Sequence, residues 1–187
     1  LTPKNELAEE VEGLRRFGRA LARDNWLVCD ERSAQVLVEK LTRQTALAVR
    51  DGEGPVNATL RLRLFSLFVR FYRKHMRMAM LVEGGSDSPP LGYSRGTDGR
   101  EAGSLMEQAV RNLPLELRES LLLVVLERFS HSEAAQALDI SLACLTERLS
   151  RGRMLLAAAL AERNEVYSDR AQRQPLRRGV PYLRLVK

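Results

Sequence analysis

The chain has 187 residues, a formal net charge of +6 and an apolar fraction of 44%, which suits one medium domain or two small ones and excludes a disordered chain. Aromatics at 5%, two Cys and two His argue against a turn-rich β-barrel, a disulfide framework and a His-built metal site. No run of about 18 apolar residues is present to cross a membrane, and no basic start followed by an apolar stretch marks a secretory leader.

The first helix is expected to start near Thr2 or Asn5, with Leu7, Val11, Leu14, Gly18 and Leu21 at helical spacing. Its early turns hold Glu6, Glu9, Glu10 and Glu12 and its later turns Arg15, Arg16, Arg19 and Arg23, the polarity that suits a helix dipole. Asp30 is placed to cap a second helix carrying Val36, Leu37, Leu41 and Leu47, which Asp51–Gly52–Glu53–Gly54–Pro55 breaks. A third helix is expected from about Ala58 to Met80. Leu60, Leu64, Leu67, Phe68, Phe71 and Tyr72 form its apolar stripe, and residues 54–82 hold six basic and no acidic residues. A solvated charged face and a nucleic-acid-facing surface both fit that pattern.

Residues 83–104 carry Gly84, Gly85, Pro89, Pro90, Gly92, Gly96, Gly99 and Gly103 without periodicity and read as a flexible linker. The expected fold is therefore all-α: a helical domain over 1–82, the linker 83–104, a second helical domain over 105–163 and an irregular basic tail over 164–187.

The second domain carries the sharpest local signal. Leu105, Ala109, Val110 and Leu113 make a short amphipathic helix stopped by Pro114, and Leu117, Leu121, Leu122, Val125 and Leu126 make another that ends near Arg128. Ser130 and Glu133 have capping-box spacing ahead of Ala134, Ala137 and Leu138. Asp139 sits at a turn, and Ser141 is placed to cap a helix with Leu142, Leu145, Leu149, Leu155 and Leu156. A short helix, a tight turn and a longer helix make a helix-turn-helix, whose second helix fits the DNA major groove. Ser141, Thr146, Glu147, Arg148, Arg151 and Arg153 are the candidate DNA-binding residues. A plain helical hairpin used only for packing is the alternative.

The order of these parts resembles an extracytoplasmic-function type sigma factor of bacterial RNA polymerase. The strongest resemblance runs from Leu113 to Leu156, LPLELRESLLLVVLERFSHSEAAQALDISLACLTERLSRGRMLL. It looks like sigma region four, which in the family reads the minus-35 promoter element; the F-S-x-x-E-A-A core from Phe129 to Ala135 is most like the general-stress-response branch. The segment from Leu14 to Asp24 is similar to the opening helix of region two. Asp30, Glu31 and Gln35 fall on the surface that binds core polymerase in the family. Leu64–Arg77 falls on the helix that approaches the minus-10 element, so the resemblance implies a promoter-melting role for Arg70, Arg73, Lys74 and Arg77. It also implies a cytoplasmic protein whose partners are core RNA polymerase, promoter DNA and an anti-sigma factor.

Several positions depart from the family pattern. Thr146 and Glu147 stand where Lys-Ser is usual, Asp139 replaces the turn glycine, and Arg63 replaces a tryptophan. The Leu-Val-Gln-Glu run expected near the clamp surface is Arg32–Ser33–Ala34–Gln35. Such departures fit a second kind of protein, a sigma-like domain of a stress-response regulator that titrates an anti-sigma factor without reading DNA. No Gly-rich phosphate loop, metal-ligand spacing or nucleophile–base pair is present, so neither catalysis nor a cofactor is expected. Cys144 reads as a small apolar residue before it reads as a thiol sensor.

Overall fold

The computed structural model describes residues 3–22, 31–82 and 105–173, and these are all helical apart from turns. α1 (Pro3–Ala22), α2 (Glu31–Arg50) and α3 (Leu60–Val82) form the N-terminal half. α4 (Leu105–Arg111), α5 (Leu115–Leu121), a π-helical turn (Leu122–Leu126), α6 (His131–Leu138) and α7 (Leu142–Arg173) form the C-terminal half. Asp30, expected to cap α2, lies outside the described residues.

The N-terminal half is built around aromatics. Leu14, Phe17 and Leu21, one turn apart on α1, are fully buried, and so are Phe65, Phe68 and Tyr72 on α3. Phe17 meets the edges of Phe65 and Phe68 at centroid distances of 5.4 and 6.0 Å, geometry that the ring quadrupoles favour. Gly18 lets the helices close: a Cβ there would stand 2.7 Å from Phe68 and 2.8 Å from Val38.

α2 stops in a Schellman motif. The Gly52 N–H donates to Val49 O at 3.1 Å and the Glu53 N–H to Ala48 O at 2.9 Å, with Gly52 left-handed at φ 90°. The Thr59 hydroxyl accepts from Leu62 N at 3.2 Å and opens α3, so the helix begins at Leu60, two residues later than its periodicity suggests. Arg63 donates to Glu53 O at 2.8 Å and Val49 O at 3.3 Å. A cation at the C-terminal carbonyls of α2 is favoured by the helix dipole, which gives this arginine a structural role.

The C-terminal half is aliphatic. Leu117, Leu121, Leu123, Ala134, Leu138, Leu145 and Leu149 form its interior. α7 approaches α5 closely at Gly152, where a Cβ would stand 2.8 Å from Leu121. Two features differ from the periodicity reading. The helix expected to run unbroken to Arg128 becomes a π turn over Leu122–Leu126 and ends with Arg128 left-handed at φ 56°. α7 continues to Arg173, through the first part of what the composition suggested was an irregular tail, because no proline or glycine stands between Gly152 and Pro175.

Candidate nucleic-acid interface

The helix-turn-helix is assembled from local hydrogen bonds. The Ser130 hydroxyl accepts from Glu133 N at 3.3 Å, and the Glu133 carboxylate accepts from Ser130 N at 2.9 Å and from its hydroxyl at 2.6 Å. This capping box satisfies α6's first donors. The bonds from the Ser130 side chain and backbone hold the Glu133 carboxyl below the usual carboxylate range.

α6 ends in a second Schellman motif. Asp139 N donates to Gln136 O at 3.2 Å and Ile140 N to Ala135 O at 3.0 Å. Asp139 takes the left-handed conformation, φ 56° and ψ 50°, the place where glycine is the usual choice. Ser141 then accepts from Cys144 N at 3.1 Å and starts α7.

Leu145 and Leu149 point inward from α7, and this register turns Thr146, Glu147, Ser150, Arg151 and Arg153 to the surface. The Thr146 hydroxyl donates back to Leu142 O at 2.9 Å. Arg148, grouped with these residues by sequence, lies differently. Its side chain is 18% exposed and its guanidinium pairs with Glu116 of α5 at 3.1 Å. The exposed cations near the start of α7 are therefore Arg151 and Arg153, next to Glu147.

α3 carries the second candidate set. Arg70 is exposed, pairs with Glu53 at 3.0 Å and lies over Phe71 at 5.5 Å. Lys74 and Arg77 are exposed. Arg73 faces the C-terminal half. It donates to the Glu119 carboxylate at 2.6–3.1 Å and to Leu138 O at 3.1 Å. Glu119 is fully buried, which pushes its carboxyl above the usual range while Arg73 pulls it down. For Arg73, burial works against the charge, and the bonds to Glu119 more than offset it, so its pKa stands above the ordinary value.

A second buried carboxylate, Glu127, follows the π turn. Arg16 of α1 donates to both its oxygens at 2.9 and 2.8 Å, which raises the Arg16 pKa. Arg61 of α3 approaches Glu127 at 3.8 Å, donates to its carbonyl oxygen and lies 4.5 Å over Phe129. Periodicity gives no hint of Glu119 or Glu127, because their partners lie 46 and 111 residues away in the chain.

For the polymerase-facing candidates, Glu31 is the first residue of α2 and Gln35 is exposed one turn later, beside the exposed Val36. Among the described residues no group of three or more His, Cys, Asp or Glu is arranged to hold a metal ion, and no helix is long and apolar enough to cross a membrane.

Residues 104–156 match the family described as Sigma-70, region 4. No curated protein matches the sequence. Solved structures match the fold. The sigma factor RpoE, in complex with the anti-sigma factor NepR, from Bartonella quintana superposes with a TM-score of 0.62 at 22% identity, covering 84% of this chain and 96% of that one. CnrH in complex with the cytosolic domain of CnrY gives 0.55 at 17% identity, covering 85% and 87%. The anti-anti-sigma factor PhyR complexed with NepR, also from Bartonella quintana, gives 0.52 at 15% identity, covering 84% of this chain and 50% of PhyR. The helix-turn-helix built by Ser130, Glu133, Asp139 and Ser141 thus lies in the segment that matches Sigma-70, region 4, within an all-α fold similar to those of the sigma factor RpoE and of CnrH.

Proposed function

We propose that this chain is a transcription initiation factor of the sigma type, which binds core RNA polymerase inside the cell and directs it to promoters. The carrying observation is the region 4 match at 104–156, which coincides with a capped helix-turn-helix whose second helix exposes Thr146, Glu147, Ser150, Arg151 and Arg153. In this reading the start of α7 enters the major groove at the minus-35 element. Arg151 and Arg153 hold phosphates, and Thr146 and Glu147 reach base edges; a carboxylate there selects a cytosine amino group. α3 supplies Arg70, Arg73, Lys74 and Arg77 near the minus-10 element. Glu31 and Gln35, with Asp30, lie toward the polymerase. An anti-sigma factor is the expected regulator, since RpoE and CnrH were each solved with one.

The test is transcription in vitro with purified core polymerase on a library of promoter fragments. Discrete transcripts that require the chain support the reading; absence of both transcripts and core binding removes it. A second reading is favoured by the similarity to PhyR and by Glu147 on the exposed start of α7: a sigma mimic that captures an anti-sigma factor without touching promoters. It predicts tight binding to a small helical anti-sigma protein and no salt-sensitive DNA binding.

A further inference from the structure

α2 buries one side in the core and leaves the other without cover. Leu37, Val38, Leu41, Ala48 and Val49 face inward, and Glu39 turns sideways to Arg15 of α1 at 3.1 Å. On the outer side Arg32, Val36, Lys40, Arg43, Leu47 and Arg50 are all exposed. They follow one another at spacings of three and four residues, which puts all six within roughly a quarter turn of the helix. The stripe contains no acid.

A solvated helix face usually balances its charges, as α1 does: Arg15 and Arg19 both meet Glu12. The outer stripe of α2 is not balanced. Arg50 meets Asp51 at 3.2 Å just past the helix end, but Arg32, Lys40 and Arg43 pair with no acid among the described residues. Lys40 and Arg43 are also like-charged neighbours on the helix surface, which disfavours the helix in isolation. Val36 and Leu47 are 64% and 42% exposed in the same stripe. They stand about 16 Å apart along the axis and bracket Lys40 and Arg43, so the apolar and the cationic positions form one surface.

The geometry points to this face as a docking surface for an acidic amphipathic helix of another protein. The partner's apolar residues cover Val36 and Leu47, and its carboxylates lie on Lys40 and Arg43, with Arg32 and Arg50 at the two ends. The mixture of residue types selects this chemistry. Nucleic-acid phosphates would meet the cations and leave Val36 and Leu47 uncovered. A lipid surface needs a continuous apolar face turned outward, and the continuous apolar face of α2 is the one in the core. A helix packed at an interaxial distance of about 8–10 Å meets both kinds of residue at once. Gln35, the exposed polymerase-facing candidate, lies about 100° around the axis from Val36, so this partner uses a different side of α2. The surface does not depend on the initiation-factor reading. One helix on one stripe makes a small interface, so the complex is weak and salt-sensitive.

The test uses the full chain and a fluorescent helical peptide of about five turns, with leucine at helical spacing and glutamate on the flanks. A peptide of the same composition in scrambled order keeps the charge and removes the apolar stripe. Fluorescence anisotropy is expected to show the amphipathic peptide binding about tenfold tighter than the scrambled one. Lys40→Glu with Arg43→Glu is expected to weaken that binding about tenfold, and Val36→Ala with Leu47→Ala about fivefold. Every substituted position is exposed, so circular dichroism and melting temperature are expected to stay those of the parent. No peptide binding, equal binding of the two peptides, or binding that survives both variants overturns the proposal. The same holds if the Lys40→Glu, Arg43→Glu form loses binding only to a random-sequence DNA duplex or only to phosphatidylglycerol vesicles, which would assign the face to nucleic acid or to lipid.

Discussion

α3 and α7 both present arginines, and they hold them in opposite ways. α3 is a core helix: Leu64, Phe65, Leu67, Phe68 and Tyr72 are buried along it, and three of its cations, Arg70, Arg73 and Arg61, are set within intramolecular pairs with Glu53, Glu119 and Glu127. Residues 54–82 contain no acid, yet acids from elsewhere in the fold meet several of these cations. α7 begins in a segment with seven acidic and six basic residues over 105–161, and still exposes Arg151 and Arg153. Bulk charge along the sequence therefore overstates what α3 offers: Arg61, Arg63 and Arg73 are taken up within the fold, and Arg70, Lys74 and Arg77 stay exposed. A charge count describes the chain; the pairing partners decide what a ligand meets.

The sharpest way to break the comparison is to remove what seats α3. Phe68→Ala deletes a fully buried ring between α1 and α3 and is expected to cost about 3–5 kcal/mol of folding stability, read as a fall in the urea midpoint. An effect below about 1 kcal/mol would show that α3 is held by its ion pairs rather than its rings.

Arg151→Ala tests the other side. It is expected to leave the melting temperature unchanged, to weaken DNA binding several-fold and to lower the salt slope by about one. An unchanged slope would place the DNA-facing cations on α3 instead.

The seat of α7 depends on the turn before it. Ser130→Ala removes both hydroxyl bonds with Glu133 and leaves the bond from the Ser130 backbone N–H; it is expected to cost about 1 kcal/mol. The pH dependence supplies the check. The Glu133 carboxyl is depressed in the folded state, so its contribution is complete above the ordinary carboxylate range and is lost as pH falls through the depressed value. Thermal melts of the two proteins should therefore converge toward acid; a difference that persists there would assign the loss to packing.

The smallest expected effect is at Arg70→Ala. Its pair with Glu53 is exposed on both sides, and exposed pairs contribute well under about 1 kcal/mol. Stability is expected to stay within about 0.5 kcal/mol of the parent. A larger loss would mean that the stacking of Arg70 on Phe71 matters.

Much of the fold was legible in the sequence because the signals are local. The stripe from Leu60 to Tyr72 gave α3, Ser130 and Glu133 gave the start of α6, and Asp139 with Ser141 gave the turn into α7. Exposure along α7 also follows from its register, since Leu145 and Leu149 must face inward. Arg148 breaks that simple reading because it sits beside the inward positions and reaches Glu116. Glu119 and Glu127 were illegible for a different reason. A charged residue in a helix is normally on the surface, and only long-range contacts reveal that these two are covered. The π turn left no trace either, because Leu122–Leu123–Val124–Val125–Leu126 is apolar throughout and suits either helix type.

That turn has a consequence for how the C-terminal half is phased. Glu127 N reaches back to Leu122 O at 3.0 Å, five residues earlier, so the segment carries one residue more than an α-helix needs. Each residue in an α-helix advances about 100° around the axis. Deleting one residue between Leu122 and Leu126 would thus restore ordinary winding and swing Glu127 by roughly a quarter turn or more, away from Arg16 and Arg61. The angular position of the buried carboxylate is set by a single surplus residue, and a one-codon deletion is enough to move it.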